Sequence, residues 1–200
     1  MLRIDHLRLP GLPPLTFEIP GGECFAIVGP SGAGKTRLLR AIADLDPVDG
    51  HFFLDGAERG EMTAPEWRRR VRYVSAEPGW WEDTPRAHLP AQAMTRVERL
   101  ASAVGLDMQL LDRPIAELST GERQRLSMVR ALVDEPKVLL LDEPTSALDA
   151  VAAAMVEELL RFQLLSRRVL VLVSHDKALI ERMSDSQLIL PGPSRLAGAA

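Results

Sequence analysis

Gly29-Pro30-Ser31-Gly32-Ala33-Gly34-Lys35-Thr36 follows the apolar run Cys24-Phe25-Ala26-Ile27-Val28 and precedes a segment, 35–43, that reads as a helix. The octet is a full match to G-x-x-x-x-G-K-[S/T], and a strand before it and a helix after it are the context in which that pattern cradles phosphate. Glycine lets backbone N–H groups approach phosphate oxygens with no Cβ in the way, and the helix N-terminus adds partial positive charge. Lys35 is placed to reach the β- and γ-phosphates of a nucleotide and the Thr36 hydroxyl to ligate Mg2+. Arg37 completes the expected nucleotide-binding stretch. The bland alternative, a glycine-rich turn with an incidental lysine, is disfavoured by the flanking elements.

Two more continuous apolar runs share the design of 24–28: Val138-Leu139-Leu140-Leu141 before Asp142, and Val169-Leu170-Val171-Leu172-Val173 before Ser174. Unbroken apolar runs suit strands covered on both faces, as in parallel sheets wrapped by helices. Helices are expected at 35–43, 122–134 and 150–163. In the last, Val151, Met155, Leu159 and Phe162 recur at helical spacing and read as one core-facing stripe. Residues 2–9 and 15–19 alternate apolar and polar, as half-buried antiparallel strands do, and meet the Gly21-Gly22 turn. Asp142 leaves its strand at the C-terminal end, where open α/β sheets bind ligands, and is the natural Mg2+ anchor. Glu143 beside it is suited to polarise a water for attack on the γ-phosphate.

Leu118-Ser119-Thr120-Gly121-Glu122-Arg123-Gln124-Arg125 resembles the signature of ATP-binding cassette (ABC) ATPases, usually L-S-G-G-Q-x-Q-R. Leu141-Asp142-Glu143-Pro144-Thr145-Ser146-Ala147-Leu148-Asp149 is similar to that family's Walker B and D-loop, and Val173-Ser174-His175-Asp176 to its switch-histidine segment. The motifs occur in the family's order over nearly the whole chain. The resemblance implies an α/β fold: a P-loop NTPase core with a mostly parallel sheet, N-terminal antiparallel strands and a small helical subdomain. It implies a head-to-tail dimer, homo- or heteromeric, with each ATP held between one subunit's phosphate loop and the other's signature. Ser119, Thr120, Gly121 and Glu122 would then form the signature side of the partner's site, with Ser119 and Gly121 touching its γ-phosphate, Asp149 would contact the partner, and His175 would bind the γ-phosphate and help hold Glu143. Lys35, Glu143 and His175 form the implied catalytic set, and ATP with Mg2+ the implied ligands.

The sequence departs from the family in two places. Ala76, in Arg72-Tyr73-Val74-Ser75-Ala76-Glu77-Pro78, occupies the position of a glutamine that ligates Mg2+. An alanine offers no ligand, so either Glu77 or a bulge supplies the oxygen, or turnover is slow. Second, Leu9-Pro10-Gly11-Leu12-Pro13-Pro14 lacks the aromatic that stacks on adenine, which predicts modest discrimination between ATP and GTP. Trp80-Trp81 lies where the family meets its membrane partner: it either anchors that partner's helix or packs one ring inward while the other shields a loop. Trp67-Arg68-Arg69-Arg70 reads as a solvated helix face.

The 200 residues read as one ABC domain: an α/β core over 1–77 and 136–190, a helical subdomain over 78–135 and a Pro/Gly-containing tail over 191–200. With 46% hydrophobic and 26% charged residues the chain can bury a core, and a formal charge of -4 argues against a nucleic-acid-coating surface. One cysteine, Cys24, allows no internal disulfide and reads as a buried core residue. Neither a signal peptide nor an apolar run long enough to span a bilayer is evident, which places the chain in the cytoplasm, peripheral to a membrane through transmembrane transporter subunits. Alternatives are an ABC ATPase working with nucleic acid, against which stands the lack of coiled-coil or zinc insertions, and a low-turnover nucleotide-binding module, which Ala76 favours.

Overall fold

A computed structural model describes residues 1–192; the expected tail falls mostly on 193–200, outside the described residues. Strands β1 (Leu2–Arg8), β2 (Leu15–Ile19), β4 (Asp49–Leu54) and β5 (Ala57–Glu58) make an antiparallel sheet in the order β2-β1-β4-β5. A second, wholly parallel sheet takes β3 (Cys24–Val28), β6 (Val71–Val74), β7 (Val138–Asp142), β8 (Val169–Val173) and β9 (Ser186–Ile189) in the order β6-β7-β8-β3-β9. The helices are α1 (Lys35–Ile42), α2 (Ala64–Arg70), α3 (Met94–Ala103), α4 (Thr120–Leu132), α5 (Ala150–Leu165) and α6 (Lys177–Met183). The fold is α/β, as expected. Between β6 and β7 the described chain is helical, with α3 and α4 and short 3-10 turns.

The period-two geometry of strands explains why the parallel strands are apolar throughout. Val138 and Leu140 of β7, and Val169, Val171 and Val173 of β8, enter a core shared with the antiparallel sheet and α1. Leu139 and Leu141, with Leu170 and Leu172, enter a second core shared with α3, α4 and α5. Every residue of β7 and β8 is buried. Strands with two covered faces admit no polar alternation, whereas β1 and β2, covered on one, show it. Trp67, fully buried, fixes α2 to α1 by donating its indole N–H to the Ile42 carbonyl at 2.8 Å. Of the solvated face expected over 67–70, only the arginines, 68–70, are exposed; Trp67 belongs to the core instead.

The stripe expected on α5 is not the core face. Val151 is 68% and Phe162 63% exposed, and only Leu159 of that set is buried. The helix instead buries Ala152, Val156, Leu159, Leu160 and Gln163. Its first turns are apolar nearly all round, so periodicity could not select a face, and the two polar residues on the true one obscured it. Both are satisfied: Glu157 accepts two hydrogen bonds from Arg182, and Gln163 accepts one from Arg168. Strands β4, β5 and β9 had no clear signature either. In β9 most residues are exposed, and in β4 the apolar residues are preceded by Asp49-Gly50-His51.

Candidate functional site

The loop 29–36 closes the C-terminal end of β3 and opens α1, whose N-cap Gly34 sits at φ 94°, in the left-handed region that glycine tolerates. Gly29, at φ 155°, packs so closely on the next strand's exit that a Cβ would stand 2.8 Å from the Leu190 carbonyl oxygen. A larger residue there would push the loop off the sheet. Lys35 is buried, and its Nζ spans the loop, donating to the carbonyls of Gly29 at 2.8 Å and Pro30 at 3.1 Å. These contacts fold the ammonium over the loop.

A cleft of about 610 Å³ opens above it. Ser31, Gly32, Ala33, Gly34, Lys35, Thr36 and Arg37 line one side, and Asp142, Glu143, Val173 and His175 the other. Arg40, Asp46 and Ala76 complete the wall. The structure therefore gathers the loop, both acids and the histidine into one site. Arg40 and Asp46 were not foreseen: they pair bidentately at 2.9 and 2.7 Å, each stabilising the charged form of the other.

Asp142 is 5% exposed. Its Oδ2 accepts hydrogen bonds from the Thr36 hydroxyl at 2.7 Å and from the Tyr73 hydroxyl at 3.0 Å. No cation pairs with it among the described residues. Burial, then the charge of Asp142, pushes the Tyr73 phenol up to about 12, so it is a neutral donor. A buried carboxylate beside a hydroxyl and a phosphate-binding loop, without a counter-cation, is a hard-oxygen donor set of the kind that takes Mg2+. No cluster of three or more His, Cys, Asp or Glu is present among the described residues. Mg2+ does not require one, because it usually takes only one or two protein carboxylates and completes its shell with phosphate and water.

Glu143 adopts φ 50°, left-handed for a side-chain-bearing residue, as its N–H bonds the Val173 carbonyl at 2.9 Å. That turn aims the carboxylate across to β8's exit. Its Oε2 accepts from Ser174 Oγ at 3.3 Å and from the His175 backbone N–H at 3.2 Å. Oε1 is buried and has no hydrogen-bond partner, with His175 Nε2 3.7 Å away. An oriented carboxylate with one bare oxygen can accept a proton from a water. Behind it, Gln124 of α4, 2% exposed, donates through Nε2 to the Glu143 carbonyl at 2.7 Å and accepts from the Ala147 N–H at 3.2 Å.

Ser119, Thr120, Gly121 and Glu122 do not line this cleft. Ser119 and Thr120 are exposed at the start of α4, which Ser119 caps; its N–H and hydroxyl both donate to Glu122 Oε2 at 2.8 Å. Asp149 is exposed and caps α5, accepting from Ala152 N–H at 2.9 Å. Glu77 is exposed and does not line the cleft, whereas Ala76 does. Leu12 packs beside Gly34, in a segment, 9–14, whose sequence holds no aromatic residue. Trp80 is half-buried under the Arg130 guanidinium, 4.2 Å from its ring, and Trp81 is 73% exposed. Of the two readings of this pair, Trp80 packs inward and Trp81 projects. His88 holds both, ring to ring at 5.0 and 4.5 Å, and its Nε2 accepts the N–H groups of Trp81 and Glu82. Cys24 is buried and its thiol is pushed up to about 12, chiefly by that burial.

Tyr73 and Gln124 were missed because each acts through a neighbour distant in sequence, and Arg40 and Asp46 because their pair belongs to no motif. Only the position of Tyr73 at the end of a strand before Ala76 hinted at the site. The family model for ABC transporters matches residues 12–146. The molybdenum import ATP-binding protein ModC of Rhodobacter capsulatus is 36% identical over 195 residues, covering 91% of this chain and 53% of ModC. A solved ATP-binding subunit of an ABC transporter superposes with TM-score 0.85 and 26% identity over 94% of this chain and 85% of that one. A bacterial Atm1-family ABC exporter with ATP bound superposes with TM-score 0.83 and 27% identity, over 94% of this chain and 37% of the exporter. The chain spans about half the length of the first curated relatives it matches.

Proposed function

The chain belongs to the ABC transporter family, and from that premise we propose that it binds MgATP in the cleft over residues 29–36 and hydrolyses it to drive a transporter. The observation that carries this reading is the bare, buried Oε1 of Glu143, whose carboxylate is held through Oε2 by Ser174 and His175, in the cleft that Asp142 and the phosphate loop also line. The loop's N–H groups and Lys35 bind the β- and γ-phosphates. Lys35 exchanges its carbonyl partners at Gly29 and Pro30 for phosphate oxygens. The Thr36 hydroxyl and Asp142 carboxylate hold Mg2+, which when bound offsets the charge on the phosphates. Glu143 Oε1 accepts the proton of the attacking water, and His175, exposed and adjacent, contacts the γ-phosphate.

Ser119, Thr120, Gly121, Glu122 and Asp149 lie outside this cleft, and several of them are exposed. That arrangement favours a head-to-tail dimer in which they complete the site of a second ABC subunit. The projecting Trp81 suits a cytoplasmic helix of a transmembrane subunit, with the chain peripheral to the membrane through it. No helix among the described residues is long and apolar enough to cross a membrane itself. Ala76 on the cleft wall favours a second reading, a nucleotide-binding module with low turnover.

ATPase assays with Glu143→Gln test the first reading. It predicts a loss of about 100-fold or more in turnover, with an ATP-dependent dimer detected by light scattering. Wild-type turnover no faster than the variant would favour the low-turnover reading.

A further inference from the structure

The Tyr73 phenol has no part in the chemistry above. It stands on β6 opposite Leu140 of β7, the strand that ends in Asp142. Its ring packs against the core beneath the antiparallel sheet while its hydroxyl reaches the strand ends and donates to Asp142 Oδ2 at 3.0 Å. The Thr36 hydroxyl reaches the same oxygen from α1 at 2.7 Å. With Asp142 buried and without a cationic partner among the described residues, these two donors fix the rotation of its carboxylate and offset the cost of its burial. Ala76, further along the same segment, lines the cleft with a methyl group and no ligating atom.

We propose that Tyr73 is a positioning residue of the metal corner, its hydroxyl fixing the rotation of the Asp142 carboxylate that would hold the divalent cation in a chain whose position 76 supplies no ligand. The proposal rests on the reading of Thr36 and Asp142 as the Mg2+ holders. Tyr73 does not line the cleft and acts through Asp142. Partners that orient a metal ligand are worth about 10- to 100-fold in metal affinity when removed. Tyr73→Phe keeps the packed ring and deletes only the oxygen.

The test is a titration of the full chain with Mn2+ in the presence of a non-hydrolysable ATP analogue, read by electron paramagnetic resonance. Tyr73→Phe is expected to weaken Mn2+ binding about tenfold, while the thermal unfolding midpoint falls modestly because the buried Asp142 carboxylate loses one of its two donors. Asp142→Asn is the companion variant. Wild-type Mn2+ affinity in Tyr73→Phe alongside weakened affinity in Asp142→Asn would overturn the proposal and leave the Asp142 assignment standing. Unchanged affinity in Asp142→Asn would remove that assignment and the proposal with it. A lowered unfolding midpoint in Tyr73→Phe without a change in Mn2+ affinity would reduce Tyr73 to a packing residue and also overturn it.

Discussion

Gln124 donates its side-chain N–H to the main-chain carbonyl of Glu143 at 2.7 Å, from a position on α4 that is 2% exposed. The same amide accepts the Ala147 N–H, so the helix that opens with Ser119 is tied to both the general-base candidate and the turn leading to Asp149. Buried amides with both ends engaged make a unique arrangement, and half-engaged ones are costly.

Gln124→Leu should therefore act at a distance from the nucleotide. It leaves the Glu143 carbonyl without its Gln124 donor and the Ala147 N–H without its acceptor, costing about 1–3 kcal/mol of stability. Turnover should fall because the strained φ 50° backbone of Glu143 loses a restraint, while ATP affinity is kept. Denaturant unfolding, nucleotide binding and steady-state ATPase measurements on one preparation check all three.

Ala76→Gln should tighten the Mg2+ dependence and raise ATPase turnover, because it adds an amide oxygen at a cleft position that now offers only a methyl group. An identical Mg2+ titration and rate for wild type and variant would refute this.

Base selectivity should be modest. Leu12, beside Gly34, offers an aliphatic surface where a ring would stack. Competition binding is expected to separate ATP and GTP by less than about tenfold, or 1.4 kcal/mol. Leu12→Trp should tighten ATP by about 0.5–1.5 kcal/mol, the worth of an aromatic stack.

Cys24 should resist thiol reagents in the native state and react on unfolding, since burial holds its proton up to about 12 against an ordinary value of 9.0. The native state binds this proton more tightly than the unfolded state. Its contribution to stability is therefore complete below about pH 9 and is lost as pH climbs toward 12. Unfolding curves of wild type and Cys24→Ala should converge over that interval.

Trp81→Ala should leave the unfolding free energy within about 0.5 kcal/mol of wild type, as an exposed side chain outside the core. Binding to detergent-solubilised membrane subunits should weaken by about 2 kcal/mol if Trp81 is the anchor of that interface. Equal retention of both proteins on immobilised membrane subunits would rule out that role.

What could be read without coordinates were features whose cause is local. The loop 29–36 declares itself because its glycines and lysine sit between a strand and a helix, and the runs at 138–141 and 169–173 because strands buried on both faces must be apolar throughout. The start of α5 at Ala150 falls at the expected residue, whereas α4 begins at Thr120, before the expected 122, where Ser119 caps it.

Only the tertiary structure decided which face of α5 is inside, since Ala152, Val156 and Leu160 are no more apolar than the exposed Val151 and Phe162. It also decided that Tyr73 reaches Asp142 and Gln124 reaches Glu143, and that Trp80 packs inward while Trp81 projects. The physical reason is the same in each case. Motifs record the short-range conformational needs of a backbone, whereas these contacts join elements that meet only when the parallel sheet aligns its strands and the helices settle on it. By itself the sequence located the loop, the two acids and the histidine that line the cleft; packing determined which remote side chains hold them in place.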